Sequence, residues 1–314
     1  MARRRNRGRS INGIFLLDKP QGLTSNQALQ RVKNLFDANK AGHTGALDPL
    51  ATGVLPICLG EATKFSQFLL DSDKHYLSTF TLGVTTETGD SEGDVVVEHD
   101  AGAVTLAKIE AAIEGFRGEI QQVPSMYSAL KHKGQPLYKL ARQGIEVERE
   151  ARTITVFDFQ ILDFRPGQQA CLDVQVHVSK GTYVRSLAED LGRVLGCGGH
   201  VSALRRNIAG PFAESESMTL QDLQTLAEAS EPADLDYLLK PMDVSVADRM
   251  AVELTATVAT YFQLGQPVMS TQAFRHGQEG DIVRVFREGG AFLGVATVTE
   301  DGRIAPKRLV VEAD

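Results

Sequence analysis

The sequence predicts an α+β fold: a central mixed, largely antiparallel sheet in a large first domain, followed by a small C-terminal β-barrel. Two observations carry this reading. Helical and strand periodicities follow one another irregularly, so the regular βαβ repeat of a doubly wound nucleotide-binding sheet is missing. From about residue 249 onward, one helical segment gives way to short strands separated by turn residues. A length of 314 residues exceeds one typical domain and leaves room for both units.

Taken in order, residues 1–10 hold five arginines and read as a disordered basic arm. After Thr24 or Ser25 as N-cap, Ala28, Leu29, Val32, Leu35 and Phe36 fall on one helical face. Phe65, Phe68 and Leu69 mark a second, shorter helix, and Tyr76, Phe80, Leu82 and Val84 share the parity of a strand. A helix capped by Thr105 carries Leu106, Ile109, Ile113 and Phe116. Strands are expected around Ile154 and Val156 and again from Leu172 to Val178, with helical spacing between and after them. Val184, Leu187, Ala188 and Leu191 form one more helical face, ended by Gly192. Residues 124–152 are basic, polar and tyrosine-bearing, as suits an insertion projecting from a large first domain over 11–248. In the last unit, 249–314, a helix ending at Gly265 precedes strands at 282–286, 292–298 and 309–311, with a turn at Asp301-Gly302. Those 66 residues are marginal alone, so packing against the first domain is expected.

A composition of 42% hydrophobic and 23% charged residues is that of an ordinary soluble protein, and no apolar run is long enough to span a bilayer. Three widely spaced cysteines suit neither a disulfide framework nor a zinc site, which points to a reducing cytoplasm. The net charge of −7 argues against nucleic acid, but its distribution argues for it. Residues 1–70 hold ten basic against four acidic residues, and 124–144 hold four basic and no acidic ones. The acid is gathered at 87–114 and 214–243, with eight acidic residues against one basic in each, as expected of a basic working face and an acidic back.

Phosphate-loop, dinucleotide and zinc-protease signatures are missing, and Cys197-x-x-His200 stands alone, so neither metal nor cofactor is expected. The densest unusual stretch is residues 42–53, GHTGALDPLATG. Its glycines allow close approach of a ligand, and Pro49 disfavours the helical region for Asp48. Held on such a loop, an ionised Asp48 serves as nucleophile or base. By local rules alone, however, Asp before Pro more often opens a helix as its N-cap. The string KGTYVR at 180–185 places Lys, Tyr and Arg at a strand-to-helix junction, where Arg185 can pair with a carboxylate and Tyr183 can stack on a base.

Together with LDKPQGLTS at 17–25, GHTGALDPLATGVLPICLGEATK at 42–64 and Leu204-Arg205-Arg206, these segments resemble the TruB family of bacterial tRNA pseudouridine-55 synthases, in the family's order and over nearly the whole chain. The resemblance implies a pseudouridine synthase catalytic domain, an RNA-gripping insertion at 124–152 and a PUA-like RNA-binding domain. It implies Asp48, Tyr76 and Arg185 as catalytic residues: nucleophile, base-stacking tyrosine and counter-ion. Substrate-binding positions fall on His43, Tyr183, Leu204, Lys19, Pro20 and Lys64, with Lys19 and Pro20 buttressing the catalytic loop. The implied substrate is uridine 55 in the T-arm of tRNA, bound by a monomer.

Such chemistry accounts for the residue types. A base inside a folded loop must be extruded before an enzyme can reach it, and His43 is suited to fill the gap. Tyr76 then stacks on the uracil and assists removal of the C5 proton, while Arg185 is expected to hold Asp48 ionised by lowering its pKa. A non-catalytic RNA binder or tRNA-folding chaperone would use the basic face and barrel, but has no use for Asp48 facing phosphates.

Overall fold

The computed structural model describes residues 8–311. In chain order, β1 (Gly13–Lys19), α1 (Ser25–Leu35), β2 (Ala41–His43), β3 (Thr52–Leu59), α2 (Ser66–Leu70) and β4 (Lys74–Leu82) precede the hairpin of β5 (Val84–Thr86) and β6 (Val95–Glu98). Then come α3 (Leu106–Ile113) and β7 (Gly118–Gln122). The basic segment contributes β8 (Lys131–His132), β9 (Gln135–Pro136) and α4 (Leu137–Ala141). After it, β10 (Arg152–Arg165), β11 (Ala170–Val178), α5 (Val184–Leu195), β12 (Gly199–Ala209), β13 (Phe212–Ala213), β14 (Met218–Thr219) and α6 (Leu220–Glu228) complete the body.

Ten of these strands form one mixed sheet with the path β14-β1-β3-β12-β4-β11-β10-β7, from which β2 pairs with β3 and β13 with β12. Only β1–β14 and β3–β12 are parallel; the other neighbours are antiparallel. Helices α1, α3, α5 and α6 share one apolar core with the sheet through residues such as Val32, Ile109, Leu187 and Leu223. Alternate residues of β1 and β3, among them Ile14, Leu16, Val54 and Cys58, enter a second cluster. Burial of both faces explains why β1 and β3 read as continuous apolar runs without a strand's alternation.

Local rules explain where the elements begin and end. Thr24 caps α1 in a reciprocal capping box with Gln27, and Thr105 caps α3 through the Lys108 amide. The helical spacing expected between Val156 and Leu172 is overturned: β10 runs unbroken through Arg165. Two irregularities in its pairing with β11, at Val156/Asp158 and Ile161/Asp163, shift the inward parity and hide the strand from a period-two reading. Gly192 likewise does not end α5, which continues to Leu195 and stops at Gly196 with φ 75°. Gly192 instead lets the start of β12 cross the helix, because a Cβ there would lie 2.2 Å from the Gly198 carbonyl carbon.

The N-terminal seven residues of the expected arm lie outside the described residues. Arg9, counted in that arm, is held: its guanidinium meets Asp236 at 2.6 Å and 3.1 Å. Residues 124–149 carry a small core of their own, built on Met126, Leu137 and Leu140.

Toward the C-terminus, β15 (Ala251–Leu254), α7 (Ala256–Gln263), β16 (Val268–Met269), α8 (Thr271–His276), β17 (Ile282–Arg287), β18 (Ala291–Val298) and β19 (Arg303–Leu309) form a separate five-stranded sheet, curled into a half-barrel, with its own core. The last strand starts directly after the Asp301-Gly302 turn, earlier than the expected 309–311. This unit packs on the body through Phe65, Val246 and Val295, with the Phe65 and Phe292 rings 5.2 Å apart. Among the described residues, no helix is long and apolar enough to cross a membrane.

Because Phe65 is fully buried at this joint, truncation to Ala should cost about 3 kcal/mol and separate unfolding of the C-terminal unit from that of the body. Chemical denaturation followed by probes in each unit reads this. A loss under about 1 kcal/mol with one coincident transition would contradict it.

Candidate active site

Asp48 does not start a helix. Residues 47–51 form an irregular loop closed by the bond from the Ala51 amide to the Asp48 carbonyl at 3.0 Å. The loop is fastened along its length. Ser25 Oγ donates to the Leu47 carbonyl at 2.9 Å and accepts from the Leu47 amide at 2.7 Å. The Gly22 amide donates to the Pro49 carbonyl at 2.8 Å, and Lys19 Nζ, fully buried, donates to the Pro20 carbonyl at 2.9 Å and reaches that of Pro49 at 3.5 Å. Lys19 thus lies directly behind the loop, while Pro20 contributes its carbonyl and stays exposed. Burial pushes the Lys19 ammonium down to about 8, against the attraction of Asp48.

Arg185, in the first turn of α5, brings its Nε within 2.9 Å of Asp48 Oδ2. Its Nη1 donates to the Thr88 carbonyl at 2.7 Å and its Nη2 to the Tyr127 carbonyl at 2.9 Å. Asp90 Oδ2 lies 3.7 Å from Nη1, and both side chains are buried. One guanidinium therefore joins the Asp48 loop, the 87–94 loop and the base of the basic insertion. Asp90 is itself fixed, accepting from Thr88 Oγ1 at 2.6 Å and the Glu92 amide at 3.1 Å.

Asp48 keeps 40% of its side-chain surface open to a pocket of about 360 Å³. Loss of bulk water raises its carboxyl above the usual carboxylate range; Arg185 pulls the other way and Asp90 adds to the rise. Arg185 lowers the Asp48 pKa in the expected direction, but desolvation outweighs the ion pair and the net direction is upward.

The pocket floor comes from three adjacent strands: Lys74 and Tyr76 from β4, Val178 from β11, and Leu204 and Arg206 from β12. Arg206 lies directly across from Tyr76 in the sheet, and Leu204 across from Ser78. Tyr183 and Arg185 supply one wall, and Ser128, Ala129 and Leu130 of the insertion another. Tyr183 is pinned by the Gln122 amide side chain, which accepts from its backbone N–H at 2.8 Å and donates to its carbonyl at 3.1 Å. Burial raises the Tyr183 phenol.

Of the residues the sequence singled out, Asp48, Tyr76, Tyr183, Arg185 and Leu204 line this pocket together. His43 does not. It pairs with Ile57 in the strand leading to the loop, its Nδ1 buried without a partner among the described residues. Burial and the charge of Arg206 lower its pKa. Lys64 is also elsewhere: its Nζ donates to the Leu309 carbonyl at 2.9 Å and pairs with Glu61, whose carboxylate accepts from the Val311 amide at 2.8 Å. It clasps the C-terminal unit to the body and does not touch the pocket. Cys197-x-x-His200 is structural: His200 is buried with Nδ1 2.9 Å from the Val84 carbonyl.

Asp90, Lys74 and Arg206 were missed. Asp90 sat in the acidic stretch assigned to the back of the molecule. Lys74 carried no motif signal of its own, although the even parity of β4 puts it on the same face as Tyr76, and Arg206 stood in the quoted Leu204-Arg205-Arg206 segment without being singled out.

Residues 33–184 match the TruB family pseudouridylate synthase N-terminal domain, 185–247 the tRNA pseudouridylate synthase B C-terminal domain, and 251–310 the C-terminal domain of pseudouridine synthase II TruB. The chain is 56% identical over 313 residues to tRNA pseudouridine synthase B of Saccharophagus degradans, covering 100% of both chains. It is 53% identical to the protein of the same name from Pseudomonas aeruginosa, over 96% of this chain and 97% of that one. Among solved structures it resembles the archaeal box H/ACA sRNP Nop10-Cbf5 complex, with a TM-score of 0.69, 25% identity, and coverage of 95% of this chain and 85% of that one. With three family domains matched in succession and full-length identity of this order, the chain belongs to the TruB family of pseudouridine synthases.

Proposed function

We propose that the protein converts uridine 55 in the T-loop of tRNA to pseudouridine, with Asp48 as its catalytic carboxylate. The observation that carries this reading is the Asp48–Arg185 pair at 2.9 Å, opening onto a pocket floored by Tyr76 and Leu204. The names of the full-length relatives supply the tRNA substrate class.

In the reaction the N1–C1′ glycosidic bond breaks and a C5–C1′ bond forms, the proton on C5 is lost, and N1 gains one. No atom is added or removed overall, so no oxidant or phosphoryl donor is required. Asp48, as a carboxylate, either adds to the base or sugar or takes a sugar proton on the way to a glycal. Tyr76, on the floor opposite the loop, stacks on the extruded uracil and assists departure of the C5 proton. His43, held toward its neutral form, is the wedge for the vacated position in the RNA. Lys19 and Ser25 keep the loop from yielding as the base enters. Lys64 acts in this account by fixing the C-terminal unit relative to the body, which would serve a partner as large as tRNA.

Incubation with an unmodified tRNA transcript, followed by mapping of the product, should give pseudouridine at position 55 alone; product elsewhere, or none, would overturn the substrate assignment. Asp48→Asn should abolish turnover while leaving tRNA affinity largely intact, because Asn keeps the side chain's size and binding rests on phosphate contacts elsewhere on the surface. Measurable turnover by this variant would remove Asp48 from the mechanism.

Turnover requires the carboxylate, and burial raises the Asp48 pKa. Activity should therefore be lost on acidification at a pH above the ordinary aspartate value of about 3.9. Arg185→Gln removes the charge that opposes this rise, so its residual activity should fail at still higher pH. A single-turnover pH profile measures both, and an acid limb that stays in place or moves down in the variant would contradict the assigned role of Arg185.

A further inference from the structure

Arg206 is the largest fully buried side chain of the described residues, 1% exposed, and no carboxylate pairs with it. Its Nε donates to the Val54 carbonyl at 2.7 Å and its Nη2 to the Gly45 carbonyl at 3.1 Å, joining the two flanks of the Asp48 loop. Nη1 has no protein acceptor among the described residues. It lies on the pocket side: a Cβ built on Gly45 would stand 3.4 Å from it, and Gly45, Lys74, Tyr76 and Arg206 all line the cavity.

A buried guanidinium without a counter-ion is strongly unfavourable unless something else supplies the negative charge. The neighbouring groups do not. Asp48 is engaged by Arg185. Lys74 is a second cation, and its ammonium is spent on the carbonyls of Leu69, Leu70 and Ser72 at the end of α2. The uncompensated charge is felt nearby, where Arg206 helps depress Lys19, His43 and Lys74. The missing anion should therefore come with the ligand. Uracil and ribose are neutral at pH 7, which leaves the phosphodiester as the anionic group an RNA substrate brings.

We propose that Arg206 forms a phosphodiester subsite inside the active-site pocket, its Nη1 donating to a non-bridging oxygen of a linkage flanking the extruded nucleotide. This rests on the RNA-isomerase reading above. The phosphate contact and the two carbonyl bonds then act through one planar group, so that the substrate backbone is registered directly against the loop carrying Asp48.

The test uses the full-length protein and RNA substrates in which single phosphates on the 5′ and 3′ sides of the target uridine are replaced in turn by neutral methylphosphonates. One replacement should lower wild-type kcat/KM about tenfold, the scale of a lost charge-assisted hydrogen bond. Arg206→Gln should show a similar loss on native RNA and no further loss with that same linkage neutralised. Multiplying losses would mean that Arg206 and the phosphate act independently, and would overturn the proposal. So would a wild-type kcat/KM that stays within twofold for every neutral linkage, a readout that stands even if the variant does not fold. Absence of product on native RNA would instead defeat the underlying functional reading.

Discussion

The site is organised around one charged contact that is expensive to bury and is repaid only by complete coordination. Arg185 meets Asp48 with Nε, the Thr88 carbonyl with Nη1 and the Tyr127 carbonyl with Nη2, while Asp90 stands behind. The partners come from three segments, so the loop carrying the carboxylate, the loop after β5 and the basic insertion have a common anchor. Removing one partner of such a pair leaves the other buried and uncompensated, which costs more than the pair itself contributes. The insertion and the Asp48 carboxylate are therefore linked through a single side chain.

The opposite side of the loop is held by a second guanidinium. Arg206 bonds to carbonyls on both flanks of the loop, and Ser25, Gly22 and Lys19 fasten the middle. The neighbouring residue on β12 behaves differently: Arg205 turns outward and grips Asp18 with both terminal nitrogens, at 3.1 Å and 2.8 Å. Two consecutive arginines thus do separate work because a strand sends successive side chains to opposite faces. One closes an ion pair at the rim, and the other carries its charge inward.

Much of this was legible in the sequence. The periodicities of α5, β4 and β11 located elements that line the pocket, those of α1 and α3 located helices packed on the sheet, and the motifs at 42–53 and 180–185 supplied the Asp48 loop and one wall. Structure decided what local rules could not: Asp48-Pro49 satisfies a helix start as readily as an irregular loop, and the fastening by Ser25, Gly22 and Arg185 selects the loop. Strand β12, central to the sheet, was not read as a strand, since its interior mixes Leu204, Arg205 and Arg206, and pairing irregularities interrupt its alternation. Asp90 was hidden for a related reason. Summed over 87–114 its charge pointed to a solvent-facing acidic back, but a fold buries individual residues, and Asp90 is the one turned toward Arg185. Lys64 shows the converse: it closes a motif contiguous with the Asp48 loop, yet β3 carries the chain away from the pocket and delivers Lys64 to the joint with the C-terminal unit.

The central claim is that this pocket moves a uracil from N1 to C5 attachment, which obliges the C5 hydrogen to leave. The most direct measurement is tritium release from an unmodified tRNA transcript labelled at C5 of its uridines, with wild-type protein in the presence of a chelator. The account predicts release of one tritium per tRNA. No release, release dependent on added metal, or release well beyond one equivalent would contradict it.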